Sequence, residues 1–276
     1  MDIFRHLFGR LIFASILTAC LSAPTLSSAG EAKYCAAKFP APVFNTADLR
    51  AVFGGPDGMT IKTDQSGLIR ELEFIALPGT VFEIDGVYAK NGHSILKLRT
   101  PEYPSNKDLY VDSRFVSLSA SKPPDREKTL PDASEIIKKM SSMEGAPYMW
   151  GGNVREGIKQ MTEFYRPAGD IDEKTLRLWR LEGVDCSGLI YQATGGYTPR
   201  NTSSLVDYGS GVKIAGLSPE EISLKMKPLD LIVWSGHVII VFDERTVIES
   251  AGKTGVKRSD LTEKLRSVMS ERAPAD

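Results

Sequence analysis

One short stretch, Val184-Asp185-Cys186-Ser187-Gly188-Leu189, restricts the folding choices of this chain more than any other. Turn-prone Gly183 precedes it, and the apolar residues Leu189, Ile190 and Ala193 lead to the pair Gly195-Gly196. Apolar residues at such offsets, closed by glycine, predict a helix with a C-terminal stop and put Cys186 in its first turn. Unpaired backbone N–H groups there carry partial positive charge, which favours a thiolate, the nucleophilic form of cysteine. A free cysteine is also an ordinary small core residue. The histidines separate the two readings.

A cysteine nucleophile needs a base within hydrogen-bond reach, usually an imidazole. The chain has three histidines, His6, His93 and His237. His6 falls in a segment expected to be removed, and His93 falls beside a tight turn in what reads as a separate β module, where a solvated surface role is expected. His237 remains. It opens the apolar run Val238-Ile239-Ile240-Val241-Phe242, which a polar turn, Asp243-Glu244-Arg245, separates from Thr246-Val247-Ile248-Glu249-Ser250. This is a hairpin pattern. A three-residue loop pairs Phe242 with Thr246 and Ile239 with Glu249, so Glu249 shares a face with His237 one diagonal step away. Glu249 can then accept from the second imidazole nitrogen and fix its tautomer. An even-length loop would turn it to the other face.

Further segments fall in a fixed order around these residues: Pro147-Tyr148-Met149-Trp150-Gly151-Gly152, Asp185-Cys186-Ser187-Gly188-Leu189, Pro199-Arg200, Lys227-Pro228-Leu229-Asp230-Leu231 and Gly236-His237-Val238. Together they resemble the NlpC-type cell-wall cysteine peptidases over the C-terminal half of the chain. The resemblance implies an α+β, papain-like catalytic domain that hydrolyses peptidoglycan stem peptides, at the bond between the γ-carboxyl of D-glutamate and the following diamino acid. It implies Cys186 as nucleophile, His237 as base, Glu249 in the third polar position and Tyr148 lining the site. Asp185 and Ser187 become ligands for the free amine of the stem's N-terminal alanine. No metal or organic cofactor is implied.

Three features depart from the family pattern. Its third position is more often His, Asn or Gln than Glu. Leu229 stands where the family commonly has Gly before Asp-Leu. The distance from Tyr148 to Cys186 is long, because of an insert at about 153–182 that includes Trp179 and a Tyr165-Arg166-Pro167 break. A long loop in a compact domain is often functional, so this insert reads as a lid or wall over the cleft, with a peripheral helical decoration as the alternative.

Upstream, residues 1–30 read as a secretory signal: Arg5 and Arg10, then the apolar run Leu11 to Leu17, too short for a spanning helix. Leu17-Thr18-Ala19-Cys20 resembles a lipobox, which makes Cys20 a candidate lipid anchor, while Ser27-Ser28-Ala29 offers ordinary cleavage. Either exit predicts a cell-envelope protein, periplasmic or secreted. Residues 40–118 carry short strand patterns at Ile69–Ala76, Val81–Gly86, Val87–Ala89, Ile95–Leu98 and Tyr110–Val116, with the hairpin signal Asn91-Gly92. They predict a small β barrel similar to bacterial SH3-like domains. Residues 119–131, with Pro123-Pro124, read as an extended linker. Asp132 and Glu135 then start a helix with core positions Ile136, Ile137, Met140 and Met143, opening a catalytic domain over 132–276. Lys257 to Arg272 predicts a last short helix.

A net charge of −1 gives no electrostatic case for nucleic acid or an anionic membrane surface. The three cysteines, Cys20, Cys35 and Cys186, make no disulfide framework, although a free Cys20 could pair with Cys35 in an oxidising compartment. Stem peptides are the expected partner. Two rival readings keep the same residues: a catalytically silent envelope module that binds wall peptides, and a thiol acyltransferase of the same fold.

Overall fold

A computed structural model describes residues 32–90 and 92–275. The signal-like segment with Cys20 and His6 lies outside them. The N-terminal half is a seven-stranded antiparallel sheet: β1 (Tyr34–Ala37), β2 (Ala41–Phe44), β3 (Leu72–Ala76), β4 (Val81–Lys90), β5 (His93–Arg99), β6 (Leu109–Asp112) and β7 (Val116–Ser119), in the order β3-β2-β6-β5-β4-β1-β7. It curls around Phe44, Phe74, Phe82, Phe115, Leu72 and Leu96, all fully buried. Lys90 pairs with His93 where β4 meets β5, and Asn91 of the expected Asn91-Gly92 turn lies outside the described residues.

Several expectations change here. The sheet starts at Tyr34, ahead of residue 40, because β1 bridges β4 and β7. Val81 to Lys90 is one long strand, with a register shift between Ile84 and Gly86 in place of a break. Tyr110 to Val116 is interrupted by a 3-10 turn at Ser113–Phe115. His93 is not a solvated residue. Its ring lies 3.6 Å from the Asp112 carboxylate, which is 1% exposed and also holds Arg114 and the Tyr165 hydroxyl. Cys35 is buried in the sheet's core, and burial pushes its thiol up to about 12.

The second half is built on a four-stranded antiparallel meander, β8 (Leu231–Trp234), β9 (His237–Val241), β10 (Thr246–Ala251) and β11 (Gly255–Asp260). Strand residues alternate faces, and the core divides accordingly. Val238, Ile240 and Ile248 pack with α1 (Ala133–Ser142) and with the helix of Cys186. Ile239, Val241 and Val247 pack on the other side, with Ile222, Leu261 and Leu265. Met140 and Met143 are core residues, as the helical spacing predicts. Asp132 occupies the N-cap of α1 but makes no side-chain capping bond. The predicted last helix begins later than Lys257, since β11 runs to Asp260 first. Leu229 has φ +74°, the conformation a glycine adopts without strain, and its N–H bonds the Val241 carbonyl. The turn is therefore kept despite the side chain.

The insert packs on the N-terminal sheet. It forms α2 (Gln160–Phe164) and α3 (Glu173–Trp179), and its apolar residues Ile158, Met161, Tyr165, Trp179 and Leu181 belong to the same core cluster as the N-terminal sheet. Trp179 is fully buried, lies 6.0 Å from Phe53 ring to ring, and donates to the Tyr165 carbonyl at 2.6 Å. The physical reason is composition: a segment with this much aromatic surface finds an apolar partner in the sheet instead of facing solvent. The linker is pinned too, because Arg126 donates to the carbonyls of Gly195 and Gly196 at 2.9 and 3.1 Å. Trp179→Ala is expected to lower unfolding free energy by about 3–5 kcal/mol. Denaturant titration checks this, and the two halves should lose structure in one transition.

Candidate active site

The predicted helix around Cys186 is α4 (Cys186–Ala193). Cys186 is its first residue, with Asp185 as N-cap accepting from the Gly188 N–H at 2.6 Å. Gly188 is required by close approach, since a Cβ there would lie 2.0 Å from the Gly152 carbonyl oxygen. The helix start is thus pressed against the loop that follows Tyr148. Tyr148 itself is joined to Val184 by a parallel bridge.

His237 is the first residue of β9 and sits at the rim of the meander. The β9–β10 register pairs Ile240 with Ile248 and Val241 with Val247, and the Phe242 N–H bonds the Thr246 carbonyl, as the three-residue loop requires. Glu249 accordingly faces His237, with Oε2 2.8 Å from Nε2. The Cys186 side chain is the other polar group that acts on the same ring. Burial opposes a charge on His237. Hydrogen bonds to Cys186 and Glu249, with their negative charge, outweigh it and push the imidazole up to about 9. Burial also opposes ionisation of Glu249, but hydrogen bonds from His237 and Lys264, with their charges, hold it at about 2. Burial and the charges of Asp185 and Cys186 raise the Tyr148 phenol above its usual range, so it stays a donor.

Asp185 and Ser187, expected to hold a substrate amine, have a different partner. They are 8% and 4% exposed and turn to Arg200, which is 2% exposed. Its Nη2 meets Asp185 Oδ2 at 2.8 Å, and its Nη1 reaches Asp185 Oδ1 at 3.0 Å and Ser187 Oγ at 2.9 Å. The remaining donors go to Asn153 Oδ1 and the Gly152 carbonyl. Asn153 in turn clamps the backbone of Ile75 in β3, accepting from its N–H at 3.1 Å and donating to its carbonyl at 2.9 Å. The physical reason for this pairing is charge burial: an enclosed guanidinium takes the nearest carboxylate and hydroxyl. Arg200 and Asn153 went unrecognised in the sequence, although Pro199-Arg200 belonged to the motif set. Arg70, in the turn that leads into β3, lies 4.1 Å over the Trp150 ring. Neither Arg70 nor Lys264 carries a sequence signal, because both depend on tertiary contacts.

No family model matches the chain, and no curated protein matches it. Among solved structures, the chain is similar to an NlpC/P60 family protein from Bacillus cereus ATCC 10987, with a TM-score of 0.31 and 13% identity over 86% of this chain. It spans 61% of that protein's length.

Two measurements check this geometry. Arg200→Ala leaves the buried Asp185 carboxylate uncompensated and should cost about 3–5 kcal/mol of stability by denaturant titration. His237 is raised in the folded state, from 6.5 to about 9, so its stabilising contribution is complete below the unfolded value and is lost as pH rises through about 9. An NMR titration of its ring should show a midpoint near 9 that falls in Glu249→Gln.

Proposed function

We propose that this protein is a cysteine peptidase that hydrolyses peptidoglycan stem peptides, at the bond between the γ-carboxyl of D-glutamate and the following diamino acid. The observation that carries the reading is the line Cys186–His237–Glu249 at the N-terminus of α4, with an imidazole held by a carboxylate on one side and facing a thiol on the other. The order of motifs around it supports the substrate class. The N-terminal sheet is read as an SH3-like module that narrows the cleft, which Arg70 over Trp150 supports. Export by the N-terminal signal, with cleavage or lipidation at Cys20, would deliver the enzyme to its substrate in the cell envelope.

In this mechanism His237 is protonated at neutral pH and the Cys186 thiolate is its counter-ion. Sulfur attacks the scissile carbonyl carbon, and the Cys186 backbone N–H and the Tyr148 hydroxyl stabilise the oxyanion. As the C–N bond breaks, His237 gives its proton to the leaving amine. Water, deprotonated by the now neutral imidazole, then hydrolyses the thioester and restores the thiolate–imidazolium pair. Glu249 keeps the ring oriented in both steps.

The test is mass spectrometry of purified muropeptides incubated with the protein or with Cys186→Ala. A free L-Ala-D-Glu fragment that appears only with the cysteine is the expected result. Binding of intact peptides without any product would instead fit a silent wall-binding module, and transfer of the acyl group to an added amine would make the protein an acyltransferase.

A further inference from the structure

The hairpin register that brings Glu249 to His237 leaves the second carboxylate oxygen to be accounted for. Glu249 is 5% exposed, and a carboxylate that buried needs partners. Its Oε1 takes a very short hydrogen bond from Lys264 Nζ. Lys264 lies on α6 (Leu261–Met269), which packs beside α5 (Pro219–Ser223) and whose Leu261 and Leu265 lie on the face of the meander that carries Ile239, Val241 and Val247. Glu249 and His237 have the same strand parity as these residues, so α6 presents its ammonium to the carboxylate from below the site. The Lys264 side chain is 22% exposed, which weakens solvent screening of the contact.

We propose that Lys264 is a positioning residue for His237: its ammonium fixes the Glu249 carboxylate and offsets most of its charge, so the imidazole meets a fixed acceptor of nearly zero net charge. This rests on reading His237 as the base. A fully charged carboxylate at Nε2 would raise the basicity of the whole ring and hold back release of the proton on the cysteine side to a leaving amine. A neutralised one orients the ring and still lets the proton go.

The other groups around the pair are few. Cys186 faces His237 from α4, and Trp234 of β8 lies 5.3 Å from it, ring to ring. Arg272 sits over Trp234 at 5.0 Å. Lys257 of β11 is paired opposite Glu249 and is exposed. The remaining charges of α6, Glu263 and Arg266, pair with each other and with Glu220. Among the described residues, Lys264 is thus the cation that touches the carboxylate on the side away from His237.

The test is the NMR titration of the His237 ring in the intact protein, a readout that does not require peptide cleavage. Lys264→Met should raise the midpoint by on the order of one pH unit. Lys264→Arg should restore it, and in a Glu249→Gln background Lys264→Met should hardly move it. Should Lys264→Met fail to fold, Lys264→Gln makes the same comparison with a neutral donor. In peptide assays the alkaline limb of kcat/KM should move with the ring midpoint, with kcat lowered and KM little changed. An unchanged midpoint in the folded variant, or an equal shift in both backgrounds, overturns the proposal. Absence of cleavage by the unmodified protein, with the midpoint shift intact, would sink the peptidase reading and leave this one standing.

Discussion

A guanidinium enclosed between two halves of a chain must find partners for five N–H donors, and Arg200 finds all of them. Asn153, Gly152, Asp185 and Ser187 supply the acceptors. Each partner belongs to a different structural job. Asp185 starts the Cys186 helix, Gly152 is the carbonyl against which Gly188 packs, and Asn153 holds β3 of the N-terminal sheet. Burial opposes the charge of Arg200, and the Asp185 carboxylate outweighs that penalty. The position of the thiol therefore depends on an ion pair that would be costly to break on one side only.

The same coupling explains why the insert and the N-terminal sheet share a core. Trp179, Tyr165 and Phe53 join them, while Asn153 and Arg126 tie the sheet and the linker to the two ends of the cysteine helix region. The contact between the two halves persists only if neither half can drift. Here the restraints are buried hydrogen bonds and aromatic packing, so Arg70 and Trp150 stay beside Tyr148. On the opposite side of the meander, α6 supplies the counter-charge to Glu249. The site thus draws on both faces of a sheet whose alternating residues already separate two cores.

Local chemistry was legible in the sequence. The cysteine helix, its glycine stop, the His237 strand and the three-residue loop that sets Glu249 opposite Ile239 follow from periodicity of 3.6 and 2. What depended on distant partners was not. The Arg200 partnership of Asp185 and Ser187 was not legible, because nothing in their neighbourhood announces a guanidinium fourteen or so residues on, buried on the same side. His93 looked solvated because Asp112 is remote in sequence. The packing of the insert on the N-terminal sheet was not legible, because its aromatic residues carry no record of what they pack against. Glu249 departs from the neutral residues common at its position in the family the sequence resembles, and Lys264, which offsets its charge, lies too far along the chain for any spacing rule to pair them.

The central claim is that the Cys186 sulfur forms a covalent bond with substrate while His237 handles the proton. The most direct measurement is the intact mass of the protein, acid-quenched during turnover of a stem peptide, followed by peptide mapping. The account predicts a thioester-linked acyl adduct on the peptide containing Cys186, absent from Cys186→Ala and sparse in His237→Ala. Cleavage of the stem peptide with no adduct on the native protein, and equally by Cys186→Ala, would contradict it.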